Sequence, residues 1–159
     1  MTIGQTFLFE FDREMANTLR MLESVPEGKL DWSPHPKSPT LGTLASHVAM
    51  IPAFAAIIVH GKGKRPPAAQ SKAELLALLD ANVAEGRSAL ASVSDGHMLT
   101  TVPIAPTVTM PRTEILRTRV FSHMIHHRGQ LSLYLRMLDS FVPGMYGPSA
   151  DEANTANRT

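Results

Sequence analysis

Phe121-Ser-His-Met-Ile-His-His-Arg-Gly-Gln-Leu131, set inside the longer run 111–138, decides how the rest of the chain is read. Placed on a helix at about 100° per residue, Leu116, Val120, His123, His127, Leu131, Tyr134 and Leu138 fall within roughly 40° of one line. That line is a core stripe, and two of its members are histidines one turn apart where leucines would be expected. A buried imidazole needs a hydrogen-bond partner or a metal. An i, i+4 pair presents two ring nitrogens to one point in space, so the run reads as a pair of metal ligands facing into a helical bundle.

The neighbours of the pair have their own readings. His126 lies about 60° from His123 and 100° from His127, at the edge of the stripe, where it meets another helix or a partner chain. Arg128 points away from the stripe, as a surface ion pair would. Gly129 permits close packing between helices, and Gln130, near the edge, orients a ligand or bonds a loop. Tyr134 is a candidate catalytic residue within reach of a substrate, or else a core residue with its hydroxyl satisfied.

Working outward, residues 38–60 make the helix that matters most to the pair. Ser38 and Pro39 read as N-cap and first helical position, the spacing Leu44, His47, Ile51, Phe54, Ile58 gives the buried face, and Pro52 is expected to bend the helix gently. His47 therefore points inward as well. On spacing alone His-x-x-x-His is a weak motif, with a buried hydrogen-bonded pair as its competitor; a third inward histidine favours metal. Neutral imidazole suits zinc, nickel, copper or ferrous iron, and three protein ligands with an open position describe a catalytic rather than a closed structural site. A divalent ion there lowers the pKa of bound water to about 7, and each ring should donate its other N–H to an acceptor.

The remaining segments complete a bundle. Residues 2–24 repeat Ile3, Phe7, Phe11, Met15, Thr18 and Leu22 at helical spacing. Glu14 falls near the middle of that face; it is either a carboxylate at a helix end or a further ligand or general base. Residues 25–39, with their prolines and the single tryptophan, form a long connection pinned by Leu30 and Trp32, with His35 exposed. Gly61-Lys-Gly-Lys-Arg-Pro-Pro67 reads as a solvated loop. Ser71-Lys-Ala-Glu74 is a capping box opening a helix to about Val93, with Gly86 allowing a close approach. Residues 94–110 are extended, a short hairpin or crossover with His97 exposed, and Pro111 opens the last helix. The tail packs through Phe141, Val142 and Tyr146. The expected fold is all-α, a four-helix bundle with long connecting loops and a short extended segment before the last helix. It forms one domain over 1–152, with a frayed tail at 153–159.

Composition narrows the function. A chain of 159 residues with 43% hydrophobic content has room for one good core. A net charge of +1 offers no dedicated nucleic-acid surface. Cysteine is absent, so metal chemistry falls to histidine and carboxylate, and any reacting sulfur must come from a cosubstrate. With no signal-like start and no apolar run long enough to span a bilayer, a soluble cytoplasmic protein is expected.

Leu44-Ala-Ser-His-Val-Ala49, the run Phe121–Leu131 and the closing Pro143-Gly-Met-Tyr-Gly-Pro-Ser-Ala-Asp151 together resemble the DinB family, helical-bundle metalloproteins related to the YfiT-type thiol transferases. The likeness covers nearly the whole chain, and His-x-x-x-His-Arg-Gly-Gln is its most specific part. It implies metal ligands at His47, His123 and His127, a divalent ion (nickel or zinc first, iron or manganese next) and a homodimer. It implies less about the reaction, since members use low-molecular-weight thiols for isomerisation or transfer or are described as metal-dependent hydrolases. The expectation is thus a small-molecule enzyme, hydrolase or thiol-dependent transferase, with no nucleic-acid or membrane partner. The alternative is a non-catalytic bundle with a structural metal.

Overall fold

The computed structural model describes residues 1–61 and 66–156, with side chains as far as Ala153. The basic residues of the 61–67 loop therefore lie outside the described residues. The chain is mostly helical. Helix α1 spans Ile3–Glu23, opened by a capping box between Thr2 and Gln5. Helices α2, Leu41–Met50, and α3, Ala53–His60, follow the long connection. Next come α4, Lys72–Ser92, and the short α5, Asp95–Leu99. Strands β1, Thr101–Ala105, and β2, Val108–Pro111, pair as an antiparallel hairpin with an irregularity after Pro103. The last long helical stretch comprises α6, Arg112–Leu116, a π-helical segment Arg117–Ser122 and α7, His123–Met137; α8, Ala150–Ala156, closes the chain.

The single helix expected over 38–60 is two. Pro52 breaks it instead of bending it gently, and the two parts meet at 45°. Proline has no N–H to return to the Val48 carbonyl; Ile51 N–H takes that carbonyl at 3.4 Å, tightening the last turn of α2. The Ala49 carbonyl accepts instead from Asn82 Nδ2 at 2.9 Å, a buried side chain of α4. Gly86 lets α4 come this close: a Cβ there would stand 2.5 Å from the Pro52 carbonyl oxygen. Helix α2 also starts later than Ser38, at the Thr40 cap. The loop supplies its first acceptors, since Leu41 N–H donates to Trp32 O and Gly42 N–H to Leu30 O, both at 2.8 Å.

The core draws on α1 (Phe7, Phe11, Met15, Leu22), α2 (Leu41, Leu44, Val48), α4 (Leu75, Leu79, Leu90) and α7 (Met124, Leu131, Leu135). Several side chains depart from expectation. Arg128 is not on the surface; it is only 2% exposed. Gly129 is exposed and has nothing within 4 Å of where a Cβ would sit, so it serves no close packing of helices. His97 is half-buried and hydrogen-bonded to the Val59 carbonyl at 2.7 Å, because α5 folds residues 95–99 back onto α3. Phe141 is exposed while Val142 and Met145 pack on the core. Helix α8 carries the described backbone of the tail to Ala156. No single helix among the described residues is long and apolar enough to cross a membrane.

Candidate metal centre

Helix α2 carries His47, and α7 carries His123 and His127 on the stripe that faces it. The three half-buried imidazoles converge: one ligand atom from each lies within 4.8 Å of the others. Ring centroids are 4.9 Å apart for His47 and His123, 4.5 Å for His47 and His127, and 4.6 Å for His123 and His127. Nε2 of His47 stands 3.1 Å from Nε2 of His123. Two lone pairs repel at that distance, so a proton or a shared cation must lie between them. Tetrahedral zinc with N ligands at about 2.0–2.1 Å holds its nitrogens about 3.3 Å apart, so the spacing fits a metal with little adjustment.

The outer ring nitrogens support the same orientation. His127 Nδ1 donates to Gln130 Oε1 at 2.7 Å, one turn along α7, which leaves Nε2 as the inward lone pair. His123 Nδ1 is buried without a hydrogen bond of normal geometry, although the Arg119 carbonyl approaches it. In the π-helical turn His123 N–H bonds to Thr118 O and Val120 O and skips the Arg119 carbonyl between them. Burial pushes the His123 pKa down, the neighbouring His127 adds to this, and the Arg119 carbonyl opposes it while the Arg119 and His126 charges lower it further. The net shift favours the neutral ring, the form a metal requires. Phe54 stacks on its face with centroids 6.1 Å apart.

Among the described residues, two clefts adjoin the triad. The first, about 440 Å³, is bounded by His47, His127 and Gln130 together with Pro39, Leu44, Met50 and Pro66. The second, about 400 Å³, is bounded by His123, His126, Ser122 and Arg119 from the last helical stretch and by Ile104 and Met110 from the hairpin. The 25–39 connection therefore contributes to the first cleft through Pro39, and the 94–110 segment to the second through Ile104 and Met110. His126 is exposed, its ring centroid 4.8 Å from that of His127.

The two residues proposed for catalysis stand differently. Glu14 is 2% exposed and is not among the clustered ligands. Its Oε2 accepts from Arg128 Nη2 at 2.5 Å and from the Tyr146 hydroxyl at 2.8 Å. Arg128 also donates to the Glu14 carbonyl at 2.9 Å and to Thr18 Oγ1 at 3.1 Å. The carboxylate thus belongs to a network binding α1 to α7 and the tail. Tyr134 is 9% exposed, donates to the Pro39 carbonyl at 3.2 Å and meets the Trp32 ring edge-on at 5.6 Å. It anchors the long connection that forms one wall of the first cleft. Gln130, read from the sequence as orienting a ligand or bonding a loop, does the former for His127; spacing gave no sign of Arg119 beside His123, which depends on a π turn with no residue signature.

A mostly helical chain with three inward histidines from two helices defines a protein able to hold a metal ion through imidazole alone. The DinB family model matches residues 1–159, and the chain belongs to the DinB family. No curated protein matches its sequence. Among solved structures, a DinB-like protein from Bacillus cereus ATCC 10987 superimposes with a TM-score of 0.75 at 25% identity, covering 91% of this chain and 98% of that one. A DinB-like protein, YjoA, from Bacillus subtilis superimposes with a TM-score of 0.72 at 17% identity, covering 88% and 96%.

Proposed function

We propose that the protein is a divalent-metal enzyme in which His47, His123 and His127 hold nickel or zinc and an exogenous thiol or a water molecule takes the open position. The observation that carries this reading is the convergence of three ligand atoms within 4.8 Å beside open clefts. When bound, such an ion supplies Lewis acidity that favours the deprotonated form of a thiol or water. The protein's own part is to orient the rings through Gln130 and α2–α7 packing, and to offer the largely apolar first cleft to a small-molecule substrate.

Between the two chemistries, thiol-dependent transfer has the better support. Hydrolysis calls for a proton-transferring group beside the water; among the described residues neither cleft is lined by a carboxylate, which leaves that part to the exposed His126 of the second cleft. Metal-favoured thiolate formation needs no such residue. The four long helical stretches, α1, α2 with α3, α4, and α6 through α7, are read as the expected four-helix bundle. Homodimer formation belongs to the same proposal; Ile125, Leu133 and Met137 are exposed along one side of α7.

Elemental analysis of the purified chain tests the metal: occupancy near one ion per chain is expected, and His123→Ala should lose it. A His123→Ala variant with full occupancy would overturn the ligand assignment. For the reaction class, the cobalt-loaded protein is titrated with a small thiol. A thiolate-to-cobalt charge-transfer band is expected, and its absence alongside ester or amide hydrolysis would favour the hydrolase.

A further inference from the structure

Three neutral imidazoles leave the charge of a divalent ion uncompensated by the protein. Among the described residues no carboxylate lines either adjoining cleft. The second cleft adds a further positive charge, Arg119, beside His123. The other described arginines all have partners. Arg13 and Arg128 pair with Glu14, Arg20 with Glu152, Arg87 with Asp12, Arg117 with Glu10 and Arg136 with Asp151, while Arg112 donates to the Ile58 carbonyl. The Arg119 guanidinium alone has no hydrogen-bond or ion-pair partner among the described residues. An unpaired guanidinium next to a site for a second cation is repulsive by itself and becomes favourable when an anion lies between them.

We propose that the cleft between the hairpin and the last helical stretch is an anion subsite, in which Arg119 receives the carboxylate or phosphate group of a substrate whose reacting end lies at the three imidazoles. The inference rests on the metal reading for its link to chemistry, and it names the substrate class: a small acid. Guanidinium matches either oxyanion with two parallel hydrogen bonds. Ser122 and His126 line the same cleft with further polar groups, and Ile104 and Met110 provide an apolar wall for a short carbon skeleton. The π-helical turn gives the placement its geometry, since Arg119 and Ser122 both lie within it, directly before His123.

The test is calorimetric titration of succinate and, separately, inorganic phosphate into the full chain, metal-free and zinc-loaded. Native protein is compared with Arg119→Met and Arg119→Lys. Native protein should bind one of the two probes, and the tighter one identifies the oxyanion. Arg119→Met should weaken that binding by about tenfold or more in both forms, with Arg119→Lys in between, since it keeps the charge and loses the fork. Zinc affinity of Arg119→Met should be unchanged or higher, because a repelling charge has gone. Equal anion binding by Arg119→Met and native protein overturns the subsite, as does failure of native protein to bind either probe. If zinc does not bind, the metal reading falls, and the metal-free titration still decides the subsite. Arg119 is exposed, so its variants should fold, and unchanged melting temperatures would confirm it.

Discussion

Arg128 is the residue whose surroundings depart most from its position on the helical wheel. Its angle on α7, opposite the histidine stripe, suggested solvent, yet α1 and Tyr146 cover that side, and its side chain and that of Glu14 are 2% and 3% exposed. The pair survives burial because its atoms are matched: Arg128 serves Glu14, Thr18 and Tyr146, and the Tyr146 hydroxyl donates to Glu14. Removing one partner strands the other charge, so Arg128→Met should destabilise the protein by about 3–5 kcal/mol. Adding Glu14→Gln should recover part of that loss, whereas independent sites would add. Denaturant unfolding of the single and double variants measures both. The inward histidines were legible because a 3.6-residue period fixes which positions share a face. Arg128 was not, because the period says nothing about what covers the opposite face, and its partners lie on other segments.

At the scale of elements, the long helices were legible from apolar spacing and caps, and the hairpin from its Thr, Val and Pro content. The break at Pro52 was not, because the apolar pattern runs through it and the break depends on α4. Asn82 Nδ2 there donates to the Ala49 carbonyl beside the break, and Asn82→Ala should cost about 1–3 kcal/mol by orphaning that carbonyl. A thermal melt reads that loss. The tail is held by a different device, carboxylates on α8. Arg136 holds the Asp151 carboxyl below its ordinary pKa, as the Gly144 and Ser149 N–H groups do for Glu152. A depressed folded-state pKa adds stability that is present above the unfolded value and lost as pH falls through the folded one. The contacts should therefore hold the tail at neutral pH and release it below about pH 4. Asp151→Asn should lower the melting temperature at pH 7 and flatten its fall into acid; an unchanged acid limb would show that the tail is fixed by packing of Val142 and Met145 alone.

For the whole molecule, the question is what an ion at the three histidines does to the fold. His47 and His123 lie 76 positions apart, on α2 and α7, so one ion would clamp two helices that approach only in the native state. Binding to the native state alone stabilises by about 2.7 kcal/mol at a free ion concentration 100 times Kd. For a domain of this size that is a rise of about 5–10 °C in melting temperature. Scanning calorimetry with increasing zinc or nickel should show this rise in the native chain and lose it in His47→Ala, whose ligand is supplied by the other helix. The same series separates a clamp from a reaction centre. A purely structural ion gives the rise with no thiol-dependent band in the cobalt form, while an ion with an accessible position gives both. If neither metal shifts the transition, the short contact between the His47 and His123 nitrogens is a hydrogen bond, and the triad is a buried polar network that positions α2 on α7.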